Sequence, residues 1–452
     1  MAISEILNIS KKAIFNYRSA INVTAKNIAN INTEGYKRRR VELSSISESI
    51  GGFNQLGGEL ISENIVRIRN AFVENQVNYE KQNLAKYKMD ESLFGQIEDI
   101  FSEPTDAGLS KVLQDFWESW NSLALEPESI AARNIVKDKG VILTNTIQRY
   151  YNNLVELQRN TKDEIVNKVE RVNNILSQLA ELNKKIVSRR TSDLLDQRDK
   201  LLSELSDYLN VKIKEEKNAS LTILAGNQIV LSGDLASEIT VDLTMENNVY
   251  KAELYTDGTT RLANIDSGEI GSMMNIINNE IPNMISTLDN IAISISLYVN
   301  MLHSRGYTLD GKTGVYFFKT DVQGASNFDL NPEIVRDPSL VVASSKPDEP
   351  GNNEVAVAIH DLQFRDIISD TTIEDYYNSF ISNVGAKAQE AEFLRSSQEK
   401  VVTNLQNTLD SISGVSLDEE MTNMIEFQHA YEASAKMIKT VDEMIVTILN
   451  MV

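Results

Sequence analysis

The side chains best suited to catalysis or metal binding are scarce in this sequence of 452 residues. There is no cysteine, which excludes disulfides, thiol catalysis and cysteine-based metal sites. The three histidines, His303, His360 and His429, are isolated, and their spacing fits neither a metal site nor a catalytic triad. We interpret them as ordinary surface or helix histidines. We therefore expect no catalytic residue, no metal and no cofactor.

Other chemical motifs are missing as well. No phosphate-binding loop, nucleophile elbow, HExxH or EF-hand spacing occurs, and the glycine pairs at 51–52 and 57–58 lack the strand-to-helix frame of a phosphate loop. Asp and Glu number 65, so pairs of carboxylates arise by chance and are not specific for glycoside hydrolysis. An enzyme that hydrolyses the cell wall is the least favoured alternative.

One basic cluster stands out: Lys37, Arg38, Arg39 and Arg40. The whole chain has a formal net charge of −21, which repels nucleic-acid phosphates and anionic membrane surfaces. We favour a solvated or partner-facing role for the cluster over nucleic-acid binding. No run of about 18 apolar residues occurs, so we expect neither nucleic acid nor a membrane as a partner.

Both ends of the chain carry the repeat of a coiled-coil helix. Toward the carboxyl end, apolar residues recur every seven positions at Leu417, Met424, Tyr431, Ile438, Ile445 and Val452. Toward the amino end, the same spacing gives Leu7, Ile14, Ile21 and Ile28. Ser416 with Glu419 resembles a capping box, which predicts a helix from about 416 to the last residue. Asn30, Asn32 and Gly35 predict that the first helix ends in a turn.

The segments between these ends are mostly helical. Helical periodicity predicts one nearly continuous helix from 129 to 190, about 90 Å long, with a stutter at Thr161. A preceding helix carries Trp120 on its apolar face, as expected for a core residue. Residues 208–265 read as β strands, with turns at 246–248 and at Asp257 and Gly258. Residues 306–353 look irregular, and helix returns from 372 to 411.

These patterns predict a mainly α fold with an inserted β module. The molecule is expected to be elongated, with paired terminal helices of coiled-coil type, a long helical body and a small β domain. We expect residues 1–45 with 416–452 to form the terminal axial domain. Residues 46–205 with 266–415 form the helical body, and 206–265 the β-rich insertion.

Several stretches resemble a known superfamily. NIANINTEGY near the amino end and GVSLDEEMTNMIEFQHAYEASAKMIKTVDEMIVTILN at the other resemble the terminal signatures of bacterial flagellar rod, hook and hook-associated proteins. AGLSKVLQDFWESWNSLALEPESIAARNIV, DLLDQRDKLLSELSDYLNVKIKEEKNASLTILAGNQIVLSG and the segment from SGEIGSMMNIINNEIP to GVYFFKT resemble the hook-associated protein 1 family of hook–filament junction proteins. Longer relatives carry a further outer β domain, which looks absent here.

The resemblance implies a structural adaptor of the flagellum, without enzymatic activity. Such proteins are exported unfolded with an uncleaved amino terminus and form a short helical ring at the distal end of the hook. Implied partners are further copies of the chain, the hook protein, the second junction protein and a cytoplasmic export chaperone. The implied location is the extracellular hook–filament junction, or the periplasm if the flagellum is internal. The terminal helices should be largely disordered in the free monomer.

The resemblance also indicates which residues lie between subunits: the terminal heptad rows and the turn that follows the first helix. The expected interface residues are Leu7, Ile14, Ile21, Ile28, Asn30, Gly35, Tyr36, Leu417, Met424, Tyr431, Ile438, Ile445, Leu449 and Val452. Two alternatives remain open. A hook or distal rod protein would share the ends but lack the DLLDQRD stretch. An exported coiled-coil effector would be a stable monomer or closed dimer.

Overall fold

A computed structural model describes residues 2–33, 35–46, 60–101, 108–246 and 249–450. The molecule is mainly helical with small antiparallel sheets, which confirms the predicted fold class. The helices are α1 (Ala2–Ala29), α2 (Ala71–Phe101), α3 (Leu109–Leu125), α4 (Ile130–Ser188), α5 (Ser192–Tyr208), α6 (Gly268–Asn275), α7 (Ile281–His303), α8 (Pro332–Arg336), α9 (Glu354–His360), α10 (Ile373–Ser413) and α11 (Leu417–Leu449). A π-helical turn (Ile276–Glu280) joins α6 to α7.

The strands form three antiparallel sheets within the described residues. They are β1 (Arg39–Ile46) with β2 (Leu60–Arg67), then β3 (Val211–Glu215), β4 (Leu221–Ala225), β5 (Gln228–Ser232) and β6 (Leu235–Ala236), then β7 (Ile239–Glu246), β8 (Val249–Thr256) and β9 (Thr260–Arg261). Asp257 and Gly258 both have positive φ, as a tight hairpin turn requires, so this predicted turn is confirmed. The turn predicted at 246–248 lies partly outside the described residues. The proposed domain boundaries stay a prediction.

Helix α4 is the long axis of the body. It spans 59 residues without a break, so at about 1.5 Å per residue it is about 90 Å long, as predicted. Ser129 caps its first turn by accepting a hydrogen bond from Ala132 N–H at 3.2 Å. At the predicted stutter the helix continues, and the buried Thr161 hydroxyl donates to Leu157 O at 2.8 Å. One rigid element therefore connects the base of the body to its far end.

Aromatic side chains fill the core where α3, α4 and α7 meet. Trp120 is fully buried, as predicted, and packs edge-on against Phe317 at 5.2 Å between ring centroids. His303, the last residue of α7, lies beside both rings and is also fully buried, so of the two predicted roles it is a helix histidine and not a surface one. Its Nδ1 donates to Val315 O at 2.8 Å, and its Nε2 accepts from Val342 N–H at 2.9 Å. Burial lowers the pKa of His303 to about 4, so the ring is neutral.

Side-chain amides fasten the β strands to the helices. Four helix side chains form hydrogen bonds with the main chain of a strand residue: Gln158 with Tyr250, Asn173 with Ile239, Asn183 with Leu221, and Asn278 with Ala252. Each amide donates to a main-chain carbonyl and accepts from the N–H of the same residue, so it takes the place of a neighbouring strand. The π-helical turn carries Asn278, whose Nδ2 and Oδ1 lie 2.9 and 2.8 Å from the main chain of Ala252. We call these four contacts the amide clamps.

The helical stretch from Gly268 to His303 is long and apolar enough to cross a membrane by length and composition alone. Its apolarity has an ordinary explanation, because Leu288, Ile295 and Val299 are fully buried in the core of the body. Residues 306–353, expected to be irregular, contain α8 and short 3₁₀ turns. Asn300 fixes the start of this segment by pairing with both main-chain groups of Phe318.

Candidate assembly interface

Helices α1 and α11 lie against each other, although they come from opposite ends of the chain. The most buried side chains of α1 are small or polar: Ser10, Asn16, Ala20, Val23, Thr24 and Asn27. The predicted row of Leu7, Ile14, Ile21 and Ile28 is only half-buried beside them. Small residues allow two helices to approach closely, so the apolar row lies at the edge of the contact rather than at its centre.

Helix α11 shows the same displacement. Its buried positions are Glu420, Ser434 and Val441, three residues on from the predicted row. Within that row Met424, Ile438 and Ile445 are half-buried, whereas Leu417 and Tyr431 are exposed. Leu449, which was predicted as an interface residue outside the row, is also exposed. Val452 lies outside the described residues. The assignment of these residues to a subunit interface stays a prediction.

The pair of helices presents apolar side chains to the outside. On α1 these are Ile6, Ile9 and Phe15, and on α11 Leu417, Met421, Ile425, Tyr431, Met437, Met444, Val446, Ile448 and Leu449. Phe15 is 54% exposed and Leu449 is 70% exposed. Exposed apolar surface of this extent on one element is typical of a protein–protein contact. We call this surface the outer face of the terminal pair.

A buried polar cluster holds the base of the terminal pair. Asn27 is 1% exposed, and its Nδ2 donates to Arg39 O and to Glu420 Oε2, both at 2.9 Å. Its Oδ1 accepts from Arg39 N–H at 3.1 Å and from the Tyr36 hydroxyl at 2.8 Å. Burial raises the pKa of Tyr36, which keeps this hydroxyl a donor. We call this cluster the anchor.

The turn before the anchor forms as predicted. Helix α1 ends at Ala29. The side chain of Asn30 caps this end, because its Nδ2 donates a hydrogen bond to Lys26 O at 2.8 Å. Gly35 has φ of +80°, a conformation that glycine adopts without strain. This turn brings Tyr36 back to face Asn27.

The basic cluster binds acidic side chains of the same chain, which corrects its interpretation as solvated or partner-facing. Lys37 Nζ lies 3.6 Å from Glu74, and Arg38 Nε lies 2.7 Å from the buried Glu420. Arg38 also contacts Glu419 at 2.9 Å. The capping box expected at the start of α11 does not form, because Glu419 is engaged by Arg38 and Ser416 makes no side-chain cap. Arg40 is exposed.

Arg39 and Arg67 bind a row of three aspartates on α5. The two arginines lie directly opposite each other on β1 and β2. Arg39 Nη2 lies 2.6 Å from Asp193 and 2.8 Å from Asp196. Arg67 Nη2 lies 2.8 Å from Asp196 and 2.6 Å from Asp199. We call these five residues the aspartate rack.

The rack joins the terminal pair to the body. Burial raises the pKa of Asp196, and Arg67 and Arg39 oppose that shift. Sequence reasoning missed the rack, although DLLDQRD contains the signal: aspartates at every third position lie on one helix face. The partners were not identifiable, since they are more than 100 residues away.

A cavity of about 810 Å³ opens beside the rack. Helix α2, helix α5, the sheet that begins with β3, and α10 contribute its walls, which include Arg69, Asp199, Asp207 and Leu409. Burial raises the pKa of Asp207 to about 6. Across the described ranges, no group of three or more His, Asp or Glu side chains is arranged to hold a metal ion.

Comparisons with known proteins agree along the chain. The family model of the flagellar hook-associated protein FlgK helical domain matches residues 94–318. The flagella basal body rod protein model matches residues 7–37, and the flagellar basal body rod FlgEFG protein C-terminal model matches residues 405–451. The flanking matches cover most of α1 and α11, and the central match covers much of the body.

Individual relatives give the same result. Flagellar hook-associated protein 1 of Bacillus subtilis (strain 168) is 29% identical, over 98% of this chain and 97% of the relative. Its namesake in Salmonella typhimurium is 22% identical over 99% of this chain and 100% of the relative, in an alignment of 552 positions that leaves room for extra segments in the relative. The solved structure of the flagellar hook junction protein FlgK from Burkholderia pseudomallei shares the fold, with a TM-score of 0.67 at 12% identity over 75% of this chain and 100% of that one. The chain belongs to the family of flagellar hook-associated protein 1.

Proposed function

We propose that this protein is the structural adaptor that joins the flagellar hook to the filament. It is exported unfolded and assembles as a short helical ring at the distal end of the hook, outside the cell or in the periplasm of an internal flagellum. Its partners are further copies of itself, the hook protein, the second junction protein and, before export, a cytoplasmic chaperone. Two relatives that align with nearly the whole chain are named flagellar hook-associated protein 1, which supports this proposal.

The outer face of the terminal pair is the observation that carries the proposal. Ile425 and Met437 on α11 are 53% and 51% exposed, and Phe15 on α1 is 54% exposed. Covering such side chains contributes on the order of 1 kcal/mol each, and one helix pair can gain this only from another molecule. In a tube, every subunit offers this face to its neighbours by a repeated head-to-tail contact. The heptad rows and the turn at residues 30–36 would lie at or beside that contact.

Deletion of the gene tests the function directly. We expect cells that carry hooks without filaments and release unpolymerised filament subunit into the medium. Restoring the wild-type chain should restore filaments, and an antibody against it should label the hook tip in electron micrographs. Cells without hooks would assign the protein to the rod or hook. Cells with normal filaments would contradict the proposal.

A further inference from the structure

Each arginine of the aspartate rack contacts two aspartates at once. Arg39 and Arg67 face three aspartates spaced by three residues along α5. The central Asp196 is shared by both arginines. A single nitrogen of each arginine, Nη2, lies between two carboxylates, so neither arginine makes the bidentate pair that fixes an arginine most firmly.

Unpaired donors on both arginines also indicate that neither arginine is firmly fixed. Nε of Arg39, and both Nε and Nη1 of Arg67, are buried without a hydrogen-bond acceptor. A buried donor without an acceptor costs about 1–3 kcal/mol, so this arrangement is not the best that these groups can reach. A small movement along α5 would bring a second nitrogen of each arginine onto one carboxylate.

The surroundings leave room for such a movement. The cavity of about 810 Å³ borders Asp199 at one end of the rack. At the other end, the side chain of Asp193 is 73% exposed. The link from α10 to α11 is short and contains Gly414. Two rigid parts thus meet at a glycine-containing link and a row of repeated acceptors.

We propose that the rack is a two-position joint between the terminal pair and the body. In one position Arg39 pairs with Asp193 and Arg67 with Asp196. In the other, Arg39 pairs with Asp196 and Arg67 with Asp199. One step along the helix covers three residues, or about 4.5 Å, so the terminal pair tilts or shifts by a few ångströms. The proposal concerns the free chain and does not depend on where the protein assembles.

Distance measurements between two spin labels test this joint. The chain contains no cysteine, so Asn22→Cys on α1 and Ser286→Cys on α7 provide unique labelling sites on the full-length protein. Both positions are exposed. We expect two distances that differ by up to about 5 Å. Asp193→Asn should favour one distance, and Asp199→Asn should favour the other.

Asp234→Asn is the matched control, because it removes an equal charge from an exposed position far from the rack in sequence. It should leave the distance distribution unchanged, and circular dichroism should show equal helix content in all variants. A distribution that is the same in the wild type and both rack variants would overturn the proposal. So would a shift of both rack variants in the same direction, which would indicate simple weakening of the contact.

Discussion

Asn27 and Glu420 are 393 positions apart in sequence, and a buried hydrogen bond of 2.9 Å joins Asn27 Nδ2 to Glu420 Oε2. The same amide also binds the main chain of Arg39. Three segments therefore depend on one side chain: the first helix, the first strand and the last helix.

Replacing Asn27 with Asp should loosen the terminal pair. The new carboxylate cannot donate to Glu420 or to Arg39 O, and it places a negative charge against Glu420. We expect amide hydrogen exchange in the parts of α1 and α11 next to the anchor to accelerate at least tenfold while the body stays protected. Asn22→Asp, at an exposed position on the same helix, should have little effect. Equal exchange rates in the two variants would contradict the role of the anchor in stabilising the terminal pair.

The wild-type exchange profile also bears on disorder in the monomer. The expectation that the terminal helices are largely disordered before assembly stays a prediction. The anchor implies a gradient, because Asn27 and Glu420 are buried whereas Leu449 is 70% exposed. We expect the slowest exchange in the terminal pair next to the anchor. Uniformly strong protection along α1 and α11 in dilute monomer would exclude the disorder.

Replacing Asn183 with Asp should destabilise the sheet that contains β4. The Nδ2 group donates to Gly233 O at 2.7 Å and to Leu221 O at 3.3 Å, and Asp lacks both donors. We expect a loss of about 1–3 kcal/mol in the free energy of unfolding, measured by urea titration. Asn152→Asp lies on the exposed face of the same helix and should cost much less. Similar losses in the two variants would mean that the amide clamp contributes little.

Two glycines with similar positive φ angles allow the cost of backbone strain to be distinguished from the cost of a steric clash. Gly226 has φ of +55°, and an added Cβ would lie 2.0 Å from Ala263 O. Gly233 has φ of +61°, with nothing within 4 Å of an added Cβ. Gly233→Ala should therefore cost about 1 kcal/mol for backbone strain alone, and Gly226→Ala clearly more. Thermal unfolding of both variants measures the difference, and equal costs would contradict the close approach of Ala263.

The buried His303 makes stability depend on pH. Its pKa is about 4 in the folded chain, below the ordinary value of 6.5, so the unfolded chain binds a proton more readily. This contribution is fully present above about pH 6.5 and is lost as the pH falls toward 4, by up to about 1.4 kcal/mol per pH unit. His303→Gln should lower stability at pH 7 and flatten this part of the profile. His429→Gln, at an exposed position, should keep the wild-type slope. If the His303 variant keeps the wild-type slope of unfolding free energy against pH, His303 is not the source of this pH dependence.

Assembly should depend on the outer face of the terminal pair and not on apolar exposure in general. Ile425 on α11 and Ile229 on β5 are both 53% exposed. Ile425→Ser should leave the thermal stability of the monomer unchanged but strongly reduce the number of filaments per cell. Ile229→Ser should leave both unchanged. Normal filaments with Ile425→Ser would place the contact elsewhere.

Periodicity in the sequence predicted the helices well because it is a local property. The continuous helix through Thr161, the turn at Gly35 and the hairpin at Asp257 all follow from neighbouring residues. The heptad rows were found, but their orientation was not. A row such as Leu7 and Ile14 shows that one side of a helix is apolar, whereas small residues such as Ala20 decide where a partner comes closest.

Contacts between segments that are distant in sequence could not be predicted from the sequence alone. The basic cluster lacked visible partners because Arg39 binds Asp193, 154 positions later. His303 looked isolated because its hydrogen-bond partners are main-chain groups of Val315 and Val342, which leave no sequence motif. The amide clamps were missed for the same reason, since a single Asn on a helix is usually read as a surface residue.

The two kinds of attachment in this molecule respond differently to dissolved salt. The aspartate rack binds through formal charges, and Asp193 lies partly in solvent, where ions weaken such attraction. The amide clamps are neutral, and Asn183 is fully buried, so ions have little effect on them. A change from fresh water to brine would therefore loosen the connection of the terminal pair while the body and its β strands keep their shape. The aspartate rack is thus a site at which the ionic strength of the surroundings acts on the geometry of the chain.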